Sequence, residues 1–199
     1  MKPELASVLD TLQARFEQKT FSVREFRGET TVQLDRWIVR DVARFLKEER
    51  GFRFLLDITA VDHLPEKPRF EVVYHFYHLD LGLPLRIKAR VPEEDPTVPS
   101  LVPVYATANW HEREAYDMMG LRFEGHPDLR RILMWEGYPY FPLRKDFPLE
   151  GKWSDEGEIA FSRPAPLEGG PFVSQPGRKL AMEREPRAQH VAKEEEEAP

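Results

Sequence analysis

An α+β domain is the fold class this sequence predicts: a mixed, largely antiparallel sheet packed with helices, followed by a long extended C-terminal arm. Three observations carry it. Phe70, Val72, Tyr74 and Phe76 alternate cleanly, as do Leu85, Ile87, Ala89 and Val91, and Asp80-Leu81-Gly82 between them suits an antiparallel turn. Upstream, two stretches repeat apolar residues at helical spacing. Nine of the 18 prolines fall in residues 136–199, where periodicity is lost.

Taken in order, Leu5, Val8, Leu9, Leu12 and Phe16 predict an amphipathic helix over 3–18, with Pro3 in its first turn. A hairpin follows, its arms around Phe21–Phe26 and Thr31–Leu34, with Gly28-Glu29 at the turn. Asp35 is placed to cap a second helix running to Arg50, and Gly51 stands where that helix should stop. The apolar run Phe52–Val61 reads as a central strand. On the last alternating strand, Arg86, Lys88 and Arg90 share the face opposite the apolar residues, as a solvated sheet face or a docking surface. The proline-rich stretch 91–103 excludes regular helix or interior strand.

The domain is expected over 1–135 and the arm over 136–199. The arm carries Trp153, Ile159, Phe161, Leu167, Phe172 and Val173 as isolated apolar anchors, the pattern of a segment lying along a partner. The last dozen residues, ending in a run of glutamates, are expected to be disordered.

Composition narrows the chemistry. The 199 residues contain no cysteine, which excludes disulfides, thiolate zinc sites, cysteine-held iron–sulfur clusters and a cysteine nucleophile. A net charge of −6 argues against general nucleic-acid affinity, which needs a basic surface. No run approaches the ~18 apolar residues of a membrane span, so the expectation is a soluble chain.

Residues 109–133, NWHEREAYDMMGLRFEGHPDLRRIL, hold the densest mixture of charge, aromatics, Gly and Pro. Asn109 and Glu112 resemble a capping box, so a helix should begin near Trp110 and stop at Gly120. At 100° per residue, Trp110, Arg113, Glu114, Asp117 and Met118 fall on one side, and Arg113 is one turn from Asp117, within pairing reach. His111-Glu112 begins like a zinc-protease HExxH motif, but Ala115 stands where the second imidazole would be. A carboxylate dyad for acid–base work from Glu112, Glu114 and Asp117, or from Asp57 and Asp62, lacks an accompanying nucleophile or oxyanion motif, and a hydrolase would have to rely on Glu114, Asp117 and His126. Gly169-Gly170 is followed by Pro171 rather than a helix, so no phosphate loop is present. Arg130-Arg131 and Arg144-Lys145 suit a partner's carboxylates.

The string ANWHEREAYDMMGLRFEGHPDLRRIL, followed by PLRKDFPLEG, resembles the signature of the 30-kDa subunit of NADH-quinone oxidoreductase, respiratory complex I. The resemblance continues upstream through FLLDITAVDH, PRFEVVYHFYHL and PTVPSL, covering roughly residues 35–151, with MWEGYPYF as a local departure. It implies a non-catalytic scaffold in the hydrophilic peripheral arm, docked on the 49-kDa subunit within a hetero-oligomer. FMN and iron–sulfur clusters would sit on other subunits, with no cofactor or metal in this chain, no nucleic-acid partner and no membrane span of its own. The implied location is peripheral, on the cytoplasmic face of the bacterial inner membrane. Carried over residue by residue, the signature marks Trp110, Glu112, Arg113, Glu114, Asp117, Gly120, His126, Pro127, Asp128, Arg130, Arg131, Arg144, Lys145 and Asp146 as interface or scaffold positions. Two rival expectations stand beside it: the equivalent subunit of a related membrane-bound hydrogenase or other dehydrogenase complex, and a stand-alone hydrolase.

Overall fold

The computed structural model describes residues 3–16 and 22–149. Residues 150–199, which include most of the expected arm, all its apolar anchors and the glutamate run, lie outside the described residues.

Helix α1 (Pro3–Arg15) buries Leu5, Val8, Leu9 and Leu12, and Phe16 beyond it meets Phe45 edge-on at 6.5 Å. Strands β1 (Ser22–Phe26) and β2 (Glu29–Leu34) form the expected hairpin. Asp35 caps as expected, but what it caps is a 3-10 turn (Arg36–Ile38), its carboxylate accepting from the Trp37 N–H at 2.9 Å. Helix α2 (Val39–Arg50) continues from that turn and buries Val39, Val42, Ala43, Phe45 and Leu46. Gly51 ends it with φ +75°, and a Cβ there would meet His78 Nε2 at 2.6 Å, so glycine is required twice over.

Strands β3 (Phe54–Asp62), β4 (Phe70–His78) and β5 (Leu83–Val91) complete a five-stranded sheet of order β1-β2-β5-β4-β3. Every pairing is antiparallel except β2 with β5, so the mixed, largely antiparallel sheet expected from the sequence is present. The strand expected to be central, β3, is at an edge; β5 takes the middle. Its apolar run misled because an edge can be covered by something other than a strand. Helix α3 (Ala108–Met119) lies along it, with the Thr107 hydroxyl 3.5 Å from the Leu55 carbonyl and His111 Nδ1 3.4 Å from Asp57. Phe54, Leu56 and Val61 of β3 remain exposed.

One sheet face carries the core, in which Val32, Phe70, Val72, Tyr74, Phe76, Ile87 and Ala89 are inaccessible to within 1%. The proline-rich stretch resolves into β6 (Thr97–Pro99), paired in parallel with β7 (Arg122–Glu124) just beyond α3. The compact unit runs to Pro148, past the boundary drawn at residue 135. Residues 136–148 therefore pack with the body instead of starting the arm.

Candidate functional site

Helix α3 starts at Ala108, with Thr107 at its N-cap position and no side-chain cap. The expected capping box is absent because Glu112 is used elsewhere. Its carboxylate, fully buried, accepts from the Ser100 hydroxyl at 2.7 Å and the Leu101 N–H at 2.6 Å. Arg40 braces the same loop, donating to the carbonyls of Ser100 (2.9 Å) and Glu124 (2.6 Å). Burial pushes the Glu112 carboxyl up from its ordinary 4.5 to about 7, against the lowering influence of Ser100, Leu101 and Arg40.

That displacement fixes a pH dependence. The folded chain binds the Glu112 proton more tightly than the unfolded chain, so this contribution is full below about 4.5 and is lost as pH rises through about 7. Glu112→Gln, which stays neutral, is expected to flatten that slope and leave the variant more stable than the parent at pH 8. The limit is about 3 kcal/mol, from 1.36 kcal/mol per pKa unit. Urea unfolding of both proteins at pH 5 and pH 8 checks it; parallel curves at both pH values would contradict it.

On the next turn, Asp117 is inaccessible to solvent. The expected pairing with Arg113 does not form. Asp117 Oδ1 accepts from Arg131 at 2.6 Å, while Oδ2 accepts from three successive backbone N–H groups, Ile132 (3.0 Å), Leu133 (2.7 Å) and Met134 (2.9 Å). Converging N–H groups of this kind form an anion-binding nest, here filled by the protein's own carboxylate. Burial would raise the Asp117 pKa, but the bonds from Met134, Arg131, Leu133 and Ile132 outweigh it and hold the group ionised. Arg113, also buried, donates to the carbonyls of Arg130 (3.1 Å) and Arg131 (3.4 Å). Helical spacing correctly put 113 beside 117. It could not reveal that residues 130–134 fold back across the helix and take both groups as partners.

Arg131 extends the clamp. It donates to the carbonyls of Asp117 (2.9 Å), Tyr138 (2.6 Å) and Tyr140 (3.2 Å), and its guanidinium lies over the Phe141 ring at 5.1 Å. Arg144 donates to the Met119 carbonyl at 2.7 Å and sits 4.4 Å from the Phe141 ring centre. Gly120 stops α3 with φ +76°, and a Cβ there would come within 2.5 Å of Arg144 and 2.8 Å of Phe141. The left-handed stop is thus also what lets the returning segment close on the helix.

A second cluster ties the end of that segment to the sheet, and the sequence did not single out its centre. Buried Arg69 donates to both oxygens of buried Asp62 (3.0 and 2.8 Å), to Glu93 (2.6 Å) and to Asp146 (2.8 Å). The Lys145 N–H donates to Asp62 at 2.9 Å, and Lys145 Nζ to the Leu64 carbonyl at 3.3 Å. Against its burial, the bonds from Arg69, Lys145 and Leu64 hold the Asp62 carboxyl well below the usual range. Asp62 had stood out only as an acid–base candidate beside Asp57. Arg69 and Asp146 are 77 residues apart, a separation no spacing rule detects.

The other expected positions are peripheral. Of the five residues grouped on one side of α3, Arg113, Asp117 and Met118 are buried, whereas Trp110 is 61% exposed and Glu114 is exposed; Glu112, Ala115 and Met119 extend the buried side. His126 accepts the Asp128 N–H at 3.0 Å through Nδ1, with Nε2 3.2 Å from the Asn109 carbonyl; burial lowers its pKa. Pro127 is exposed, and Arg130 pairs with Asp128 at 3.0 Å on the surface. Glu112, Asp117 and His126 each answer to separate main-chain partners. Among the described residues no group of three or more His, Cys, Asp or Glu is placed to hold a metal, and no helix is long and apolar enough to cross a membrane.

Residues 32–153 match the family described as respiratory-chain NADH dehydrogenase, 30 Kd subunit. The chain belongs to this family. The resemblance read from the HPDLRR and PLRKDF strings is borne out. A relative from Geotalea uraniireducens, named as a subunit of NADH-quinone oxidoreductase, is 48% identical over 140 residues, 70% of this chain and 85% of that protein. Its namesake from Rhizobium meliloti is 61% identical over 113 residues, 56% of this chain; this chain spans 62% of that relative's length. Among solved structures, a trypsin-resistant fragment of Nqo5 is 34% identical, with 63% of this chain and 99% of the fragment covered and a TM-score of 0.57. A chain of an archaeal membrane-bound sulfane sulfur reductase shares the fold, with a TM-score of 0.63 at 24% identity, over 88% of this chain and 98% of that one.

The strings that carried the resemblance coincide with the two clamps. Arg113 and Asp117 on α3, Arg131 after HPD, and Arg144 to Asp146 are the groups that close residues 130–147 onto the body, while Glu112 ties α3 to the loop at Ser100 and Leu101.

Proposed function

We propose that this chain is a non-catalytic scaffold subunit in the hydrophilic peripheral arm of a proton-translocating NADH:quinone oxidoreductase. It docks on the 49-kDa subunit, while other subunits hold FMN and the iron–sulfur clusters that carry electrons from NADH to quinone. It works as part of a hetero-oligomer at the cytoplasmic face of the bacterial inner membrane. The charged signature residues named above are structural, and the remaining arm from residue 150 onward reaches a partner.

The observation that carries this reading is how the buried charges are spent. Asp117 uses both oxygens on Arg131 and three backbone N–H groups, and Asp62 uses both of its own on Arg69 and two more. A general acid or base must keep a proton site free for the reacting group. These carboxylates have none, and what they accomplish is to fix a long returning segment in one geometry.

The test is affinity purification of the tagged chain from native membranes, with identification of the co-purifying subunits. The full chain is expected to bring down the 49-kDa subunit and cluster-bearing subunits, and truncation after Gly151 to reduce that yield. Recovery of the electron-input subunits of a hydrogenase, or of no other subunit, would overturn the reading.

A further inference from the structure

We propose that the open face of the five-stranded sheet is a docking surface for an acidic, extended segment of another subunit. The inference rests on the scaffold reading and adds to it a partner chemistry and a second, separate contact surface.

Because Leu85, Ile87, Ala89 and Val91 of β5 turn into the core, Arg86, Lys88 and Arg90 turn the other way. They recur every second residue along the middle strand, so their stems stand roughly 6.6–6.8 Å apart. Arg24 of β1 lies in register with Thr31, which is itself opposite Arg86, placing Arg24 and Arg86 in one row two strands apart. Together they border a shallow cleft of about 420 Å³ whose lining holds a single carboxylate, that of Glu71.

Glu71 is 4% exposed and neutralises only part of this charge. It accepts from Lys88 at 2.6 Å, lies 3.3 Å from Arg90 Nε, and is 3.5 Å from His63 Nε2, a buried nitrogen without a hydrogen-bond partner. Arg86 meets Glu29 and Arg90 meets Glu66 (3.4 Å), both at the exposed rim. Among the described residues, Arg24 has only the Phe26 ring beside it, at 6.0 Å. A chain of net charge −6 thus keeps four cations here against one buried carboxylate and two rim carboxylates, an excess of positive charge on a face that no other described element covers.

The spacing selects the occupant. An extended peptide repeats its side chains on one face at the same period as the β5 cations, so carboxylates at alternate positions can meet Arg86, Lys88 and Arg90 in turn. Exposed Phe26 offers an apolar contact beside them. A nucleic-acid backbone would bring continuous negative charge against rim carboxylates Glu29 and Glu66, whereas alternating residues of a peptide can avoid them.

The test places a photo-crosslinking amino acid at Gln33, which lines the cleft, in the full chain expressed in its native host. Crosslinked peptides are then identified from the purified assembly. The expected product joins Gln33 to a segment of another subunit bearing carboxylates at alternate positions. Arg24→Glu with Arg86→Glu should lower that product about tenfold at low ionic strength without lowering the unfolding temperature, and added salt should erode the parent's yield. If the double variant fails to fold, Arg24→Gln alone, with no ion pair to strand, is expected to lower the yield in the same direction. Co-purification with the oxidoreductase subunits but a crosslink to a non-acidic segment, to lipid, to nucleic acid or to nothing overturns this inference and leaves the scaffold reading standing. Failure to co-purify with those subunits overturns both.

Discussion

Asp117→Ala is expected to destabilise the domain by about 3–5 kcal/mol, the cost of breaking a buried ion pair by removing one partner. The magnitude follows from what is stranded. Arg131, whose side chain is 11% exposed, loses its carboxylate, and the N–H groups of Ile132, Leu133 and Met134 lose their acceptor together. Asp117→Asn keeps one carbonyl oxygen and is expected to fall between alanine and the parent. Urea unfolding measures the loss, and hydrogen exchange locates it: the amides of 132–134 should lose protection before the β4 and β5 amides do. A loss below about 1 kcal/mol, the size of an exposed ion pair, would show that the nest does not hold this segment.

Arg69→Leu is expected to have a similar effect, again about 3–5 kcal/mol, because Asp62 would remain ionised in a buried site. The contrast within the cluster sharpens it. Asp146 also binds Arg69 but is 54% exposed in its side chain, so Asp146→Ala should cost on the order of 1 kcal/mol or less. Removing both buried partners in Asp62→Leu/Arg69→Leu should cost less than the sum of the two single changes, since neither charge is left alone. The pH profile gives an independent check with its own sign. The Asp62 carboxyl is held below its ordinary value, so its stabilisation is present above about pH 4 and is lost as acid is added. That acid loss should be shallower in Arg69→Leu. Additive single-mutant costs, or an unchanged acid limb, would contradict the assignment of Arg69 as the partner.

The elements that sequence periodicity revealed are those whose partners are nearby or on the same element. The β4–β5 hairpin, the buried faces of α1 and α2, and the stops at Gly51 and Gly120 all follow from local spacing and backbone preference. Glu112 defeated the same reasoning: three residues after Asn109 it imitates a capping box, but its partners are Ser100 and Leu101 on the preceding loop. The edge position of β3 was hidden for a related reason, because α3 covers the side where a further strand would pair. In the candidate site, the sequence announced the residues but not the contacts. Asp117 and Arg131 were both marked, yet their meeting depends on the chain reversing after His126-Pro127. Arg69 lay inside the PRFEVVYHFYHL string, but neither spacing nor periodicity set it apart as the centre of a cluster.

The two clusters fix both ends of a segment from Arg130 to Phe147 that has little regular structure of its own. Such a segment has few internal backbone bonds to define it, so side chains from the body must supply its geometry. The result is a segment held in one defined geometry at both ends.

The most direct measurement is NADH:quinone turnover per bound flavin in complexes assembled with Glu112→Gln or His126→Ala. These remove the two groups on and beside α3 whose pKa displacement would best suit acid–base work. A scaffold role predicts parental turnover per flavin in every complex that assembles, with any loss confined to the amount assembled. Normal assembly with abolished electron transfer would contradict it.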